Sequence, residues 1–221
     1  MKYGESLFDI LYLLIAIPGG MALLRKARTG VERLMGWAVL ILGCGDAFHL
    51  VPRVLRYFVA ADFTVALGVG KLVTSLTMTV FYVLMYHIYL GCFAKPERKN
   101  VTRIVYALLA VRVLLCLFPQ NGWLQNESGV LWGILRNLPF VALGALIVAL
   151  FYNVRGDSHR FRNVWLYVAL SFLFYIPVAV AAGLVPMLGM LMLPKTVCYI
   201  LLIAVFWQAV TKDAPQTQKN A

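Results

Sequence analysis

Apolar stretches of roughly twenty residues recur along this chain, and each is about long enough to cross a bilayer core as a helix. Of the 221 residues, 62% are hydrophobic and 13% are charged, whereas soluble domains are about half apolar and a quarter charged. The pattern therefore predicts an all-α integral membrane protein with a single seven-helix transmembrane bundle over residues 1–210. The predicted spans are about 6–24, 34–57, 63–93, 104–118, 130–152, 164–184 and 187–210.

The positive charge of the chain predicts its orientation in a membrane. The formal net charge is +11, which in a soluble protein would suggest nucleic-acid binding. Thirteen of the twenty Lys and Arg residues lie in alternate loops and in the tail, all on one side of the predicted membrane. Because Lys and Arg concentrate in cytoplasmic loops, we predict the N-terminus outside and the C-terminus in the cytoplasm, with a disordered tail at 211–221. The expected location is a bacterial inner membrane or a plasma membrane.

The two halves of the predicted bundle share a pattern. Spans one to three and spans five to seven run in the same direction, with span four between them. The first two spans of each half contain a proline, and the third contains a lysine, Lys71 or Lys195. Parallel three-helix repeats are a known transporter architecture. A 3+1+3 parallel repeat is therefore one hypothesis, and chance similarity between apolar helices is the other.

Ionisable side chains inside the spans indicate where a site would lie, because a charge in hydrocarbon costs several kcal/mol. Asp46, His49 and Arg53 have i, i+3, i+7 spacing and therefore share one face of the second span. A carboxylate near the midplane needs a partner. We therefore expect Asp46 to contact Lys71 or Lys195, directly or through one water.

The charges in the outer half of the spans are mainly cationic. The basic side chains are Arg53, Lys71, Arg112, Arg136 and Lys195, and the carboxylates are Asp9 and Asp46. The excess cations could snorkel to lipid phosphates, face a water-filled cavity or hold an anionic ligand, and we favour the ligand. The predicted ligand-binding residues are Asp46, His49, Arg53, Lys71, Thr74, Arg112, Arg136, Asn137, Tyr175, Lys195 and Tyr199.

An alternative hypothesis is a membrane-embedded enzyme that acts on a lipid, with Asp46 and His49 as its acid/base pair. Asp46, Phe48 and His49 resemble part of the second-helix motif of the membrane hydrolase superfamily that includes alkaline ceramidases and progestin-type receptors. That resemblance implies a metal held partly by a histidine pair on the last helix. Span seven has no histidine, so we predict no metal site.

A third hypothesis is a chromoprotein. Phe174-Tyr175-Ile176-Pro177-Val178 and Lys195 resemble the matching helices of microbial rhodopsins, which implies a Schiff base on that lysine. Two features depart from the family. The acidic residue four places before the lysine is Leu191 here, and the third span has no Arg-x-x-Asp counterion motif.

The leading hypothesis is a protein that binds a small anionic or amphipathic ligand in an outward-facing cationic pocket within the membrane, and that transports or senses this ligand. Membrane lipids and that ligand are the expected partners, with no nucleic acid and no cofactor. The sequence indicates no oligomeric state, and whether the chain is an enzyme stays open.

Overall fold

The computed structural model describes residues 2–126, 129–181 and 185–212. Within these residues the chain forms seven α-helices, two short 3-10 helices and no β-strand, which confirms the all-helical prediction. The α-helices are α1 (Lys2–Lys26), α2 (Gly30–Phe58), α3 (Thr64–Cys92), α4 (Lys99–Leu117), α5 (Val130–Asn153), α6 (Val164–Ala181) and α7 (Met192–Lys212). The 3-10 helices are Pro119–Asn121 and Pro186–Leu191.

Six of these helices are long and apolar enough to cross a membrane. The exception is α6, whose apolar segment Val164–Val180 is shorter. The last three residues of the predicted sixth span, 182–184, lie outside the described residues, and so do residues 213–221 of the predicted tail. The count of seven spans and the orientation of the bundle therefore stay predictions.

Several helices extend beyond the apolar runs that predict them, and α2 shows why. The Thr29 hydroxyl accepts a hydrogen bond from the Glu32 N–H at 3.2 Å, and the Glu32 carboxylate accepts one from the Thr29 N–H at 3.4 Å. Such a capping box satisfies backbone N–H groups that have no partner within the helix. The helix therefore begins at Gly30, four residues before the predicted start of the span.

Among α1 to α5, each helix is antiparallel to the next helix in the chain. Near the end of α2, Arg53 contacts Glu5 at the start of α1. Near the end of α3, the Tyr86 hydroxyl lies 2.7 Å from the Thr102 hydroxyl at the start of α4. Loops 27–29, 93–98 and 154–163 accordingly lie at one end, which we call the basic end. Loop 59–63 and residues 118–126 and 129 after α4 lie at the other, which we call the far end.

Close packing of α2 against α3 sets the position of the predicted site residues. A Cβ atom on Gly70 would collide with the Phe48 carbonyl, so the two backbones touch beside His49. One turn further toward the basic end, the Thr74 hydroxyl donates a hydrogen bond to the Gly45 carbonyl at 2.9 Å. These contacts therefore fix the position of the His49 face of α2 along α3.

An aromatic cluster joins α3, α5 and α6 in the core. The Phe140 ring centroid lies 5.4 Å from that of Tyr82, 5.0 Å from that of Phe172 and 5.6 Å from that of Tyr175. Edge-to-face and tilted pairs at these distances are favourable beyond the area that they bury. The cluster thus fixes the three helices beside Asn137, which is one of the predicted site residues.

Candidate functional site

A pocket of about 190 Å³ lies at the far end, between the end of α2 and the start of α3. Most of the side chains that line it are basic. Asn126 comes from the loop after α4, which we call the far-end loop. We call it the far-end pocket. The lining residues used below are His49, Arg53, Arg56, Tyr57, Leu67 and Lys71.

Arg53 is the pocket cation that has carboxylate partners. Its Nη2 atom lies 3.1 Å from Oε2 of Glu5, and its Nη1 atom lies 3.9 Å from Oδ2 of Asp9. The Tyr57 hydroxyl donates a second hydrogen bond to Glu5, at 3.3 Å. The two acids of α1 therefore hold Arg53 on the α1 side of the pocket and offset much of its charge.

The other two pocket cations lack such partners in the described part of the chain. Arg56 and Lys71 are both exposed, and neither forms an ion pair with a described carboxylate. Lys71 is instead subject to repulsion from Arg136 and Arg56. His49 is also surrounded by positive charge, since Lys71 and Arg53 both act on it. The far-end pocket therefore has an excess of positive charge over its described carboxylates.

Asp46 lies one turn from His49 on α2, toward the basic end. Its direct partner differs from the lysine that the sequence predicts. Its Oδ2 atom accepts a hydrogen bond from the Tyr12 hydroxyl at 2.7 Å. No ion pair joins Asp46 to Lys71 or to Lys195. Lys195 is the cation whose charge acts on Asp46. The direct partner of this carboxylate is therefore a neutral hydroxyl group, with a lysine further away.

Lys195 is connected to the opposite side of the bundle through aromatic and amide groups. Its Nζ atom lies 4.7 Å from the ring centroid of Tyr175 and 5.4 Å from that of Tyr199. The Tyr175 hydroxyl donates to Oδ1 of Asn137 at 2.7 Å, and the same oxygen accepts from Nη1 of Arg112 at 2.8 Å. We call the following residues the buried polar chain: Arg112, Asn137, Tyr175, Lys195, Asp46 and Tyr12.

Arg112 is buried, with 1% of its surface exposed, and forms no ion pair in the described residues. Besides Asn137, its guanidinium donates to the backbone carbonyl of Arg136 and lies 5.0 Å from the Phe140 ring centroid. That carbonyl belongs to the turn before Pro139, where the proline ring interrupts the helical hydrogen bonds. Neutral acceptors of α5 therefore hold this cation, which joins α4 to α5.

Arg136 points to the far-end loop. Its Nη1 atom donates to Oδ1 of Asn121 at 2.9 Å, and its guanidinium lies 4.4 Å from the centre of the Trp123 ring. The buried Asn121 side chain in turn donates to the Leu115 carbonyl at 2.7 Å, near the end of α4. Arg136 thus ties the start of α5 to the loop that follows α4.

The structure divides the predicted site residues among four places. His49, Arg53 and Lys71 meet at the far-end pocket, whereas Arg136 bonds to the far-end loop and Thr74 bonds to the backbone of α2. The remaining predicted residues belong to or adjoin the buried polar chain: Asp46, Arg112, Asn137, Tyr175, Lys195 and Tyr199.

Sequence reasoning missed several residues of the far-end pocket and of the buried polar chain. Arg56 and Tyr57 continue the face of Asp46, His49 and Arg53 by one more turn, so the helical spacing could have identified them. Tyr12 gave no such signal, because a tyrosine in an apolar span is indistinguishable from a packing residue until its hydroxyl partner is known.

The described residues contain no group of three or more His, Cys, Asp or Glu side chains that could hold a metal ion. Comparison with protein-family models, with curated proteins and with solved structures finds no match to this chain.

Proposed function

We propose that this chain is a seven-span membrane protein that binds a small anionic or amphipathic ligand in the far-end pocket and transports or senses it. The N-terminus lies outside and the C-terminus in the cytoplasm, so the far end faces outward. One observation carries the proposal. The far-end pocket places Arg56 and Lys71 together without a described carboxylate partner for either.

The lining of the pocket suits an anion with a small apolar part. A guanidinium such as that of Arg56 can donate two parallel hydrogen bonds to a carboxylate or a phosphate, and the Lys71 ammonium adds a compact charge. His49 contributes an imidazole, and Leu67 adds an apolar wall. A bound anion would also relieve the repulsion that Arg56 and Arg136 exert on Lys71.

The enzymatic alternative uses Asp46 and His49 as an acid/base pair on a lipid substrate. His49 lines the pocket, but Asp46 does not, and the Asp46 carboxylate bonds to Tyr12. An acid/base pair must reach the proton that it transfers, directly or through one water. We therefore prefer binding to catalysis for this site.

The binding experiment uses the full chain in lipid nanodiscs and isothermal titration calorimetry with sodium phosphate, sodium acetate and hexyl phosphate as probes. At least one probe should bind the parent. Lys71→Met and Arg56→Met should each weaken its binding about tenfold, since each removes a charge-assisted hydrogen bond. Lys99→Met is the matched control, because it removes an exposed cation at the basic end.

Two results would contradict the proposal: no probe binds the parent, or the pocket variants bind as tightly as Lys99→Met. A measurement of anion flux then distinguishes transport from sensing. Proteoliposomes that contain the parent should take up the bound anion if the chain is a transporter, and the Lys71→Met variant should take it up more slowly. Binding without flux would identify a sensor.

A further inference from the structure

A second cavity, of about 240 Å³, lies at the basic end where α3, α4 and α5 meet. We call it the basic-end groove. Its lining includes two cations from the loop that joins α3 to α4, Lys95 and Arg98, together with Asn153, two tyrosines and apolar side chains deeper in the bundle. The apolar residues used below are Leu90, Val101 and Leu150.

The cations at the mouth of the groove are available to a ligand. Lys95 lies 3.4 Å from the Asp157 carboxylate, but the two side chains are 41% and 50% exposed. Ion pairs exposed to this degree contribute little to stability, so Lys95 can exchange its partner at low cost. Arg98 is exposed and forms no ion pair with the described carboxylates.

The deeper part of the groove is preformed. Tyr86 and Tyr89 are buried, and the Tyr86 hydroxyl is already paired with that of Thr102 at 2.7 Å. The Tyr89 ring packs against Phe151, with ring centroids 5.7 Å apart. Half-buried Leu90, Val101 and Leu150 complete the lining. A free inorganic anion would satisfy the cations but would leave this apolar surface in contact with water.

We propose that the basic-end groove binds an anionic phospholipid of the surrounding membrane. The headgroup phosphate lies between Lys95 and Arg98, and the first part of an acyl chain lies along Leu90, Val101 and Leu150. Charge at the mouth and apolar surface below it match the order of these groups in a lipid at the membrane interface. Basic pockets between transmembrane helices on the cytoplasmic side are a recurring type of site for anionic lipid headgroups.

α4, which borders the groove, is the candidate span least buried within the described chain. Only 17% of the apolar window of α4 is buried within the chain, against 28% to 44% for the other five candidate spans. Much of the surface of α4 is therefore not covered by the described chain. Thr102 at the start of α4 already contacts Tyr86 of α3, and a lipid seated in the groove would add contacts from α4 to α3 and α5.

Native mass spectrometry of the purified full chain tests this proposal with phosphatidylglycerol and phosphatidylcholine as probes. The parent should retain phosphatidylglycerol in preference to phosphatidylcholine. A double variant, Lys95→Met with Arg98→Met, should bind phosphatidylglycerol about ten- to thirtyfold more weakly. Arg103→Met is the matched control, because it removes an exposed cation of α4 that does not line the groove.

A second variant tests the acyl-chain part of the groove. Leu150→Asn leaves both cations in place, so it should weaken retention of phosphatidylglycerol while leaving the weak binding of soluble glycerol phosphate unchanged. Equal retention of phosphatidylglycerol by the parent and the double variant would overturn the proposal. So would an equal loss in Arg103→Met, which would indicate attraction to the basic surface in general, or displacement of the lipid by millimolar glycerol phosphate, which would indicate a free-phosphate site.

This proposal is independent of the far-end pocket. The double variant at Lys95 and Arg98 should bind the anion probes of the far-end pocket as the parent does. A loss of lipid binding and a loss of anion binding are therefore separate results.

Discussion

The far-end pocket and the buried polar chain each contain one of the two lysines that the repeat hypothesis pairs, yet the two lysines have opposite surroundings. Lys71 is exposed and lies among other cations. Lys195 is buried, with 8% of its surface exposed, and lies over two tyrosine rings near Asp46. A cation inside a span is therefore not in itself evidence for a ligand. The decisive question is whether the protein supplies the partners of that cation.

The difference has an energetic consequence. A buried charge is tolerated only with hydrogen bonds or a countercharge from the protein, so removing one member of such a set leaves the others unsatisfied. An exposed cation keeps its water and loses little when it is replaced. Variants of the buried polar chain should therefore change stability, whereas variants of the far-end pocket should change binding.

The largest effect is expected for Lys195→Met. The change removes the cation whose charge acts on Asp46, and we expect a loss of about 3 kcal/mol in the free energy of unfolding, because the Asp46 carboxylate would lose its countercharge. The double variant with Asp46→Asn should recover much of the loss. Denaturation of the purified chain in detergent measures both. If Lys195→Met retained parental stability but lost anion binding, this lysine would belong to the ligand site.

A smaller effect is expected for Arg112→Met. The substitution leaves the Asn137 side chain and the Arg136 carbonyl without their shared donor, which should cost roughly 1–3 kcal/mol. Asn137→Leu should cost less in the Arg112→Met background than in the parent, because the two residues share one hydrogen bond. A double-mutant cycle of unfolding free energies provides the check, and additive losses would contradict the contact.

Arg53→Met should have an intermediate effect, because this residue belongs to the pocket and is also paired with carboxylates. Loss of the ion pair with Glu5 should cost roughly 1 kcal/mol in unfolding free energy, since both side chains are mostly covered. Glu5→Gln in the same chain should restore part of it. Thermal melting distinguishes this behaviour from that of Lys71→Met, whose stability should stay within about 0.5 kcal/mol of the parent.

The smallest effect is expected for Asp62→Ala, in the loop that joins α2 to α3 beside the far-end pocket. The hydroxyl and the backbone N–H of Thr64 hold the pKa of the Asp62 carboxyl below its usual value. A lowered pKa means that the contribution to stability is present at neutral pH and is lost as the pH falls through the folded-state value. The parent should therefore melt slightly above the variant at pH 7, and the difference should shrink as the pH falls below the ordinary Asp value of about 3.9. An unchanged difference at low pH would exclude this carboxylate as the cause.

The sequence predicted the helices better than it predicted how they face one another. Apolar runs and charged loops are local signals, so they placed α1 to α5 within a few residues. Helical spacing also placed His49 and Arg53 on one face correctly. Helical spacing could not give the rotation of one helix relative to its neighbour. That rotation determines that Asp46 contacts Tyr12 and that Arg112 contacts Asn137. Arg112 and Arg136 contact neutral groups of the protein, contacts that the spacing did not indicate, and their role in ligand binding stays a prediction.

The unequal helix lengths have a consequence for the accessibility of the far-end pocket. α2 and α3 have 29 residues each, about 43 Å, whereas α4 and α6 have 19 and 18 residues, about 28 Å and 27 Å. A bilayer whose hydrocarbon thickness is about 30 Å fits the short helices and leaves roughly 13 Å of the long hairpin to tilt or to project. Lys71 lies seven residues, or about 10 Å, from the far end of α3 at Thr64. Membrane thickness would therefore determine whether the pocket opens to water or is covered by acyl chains.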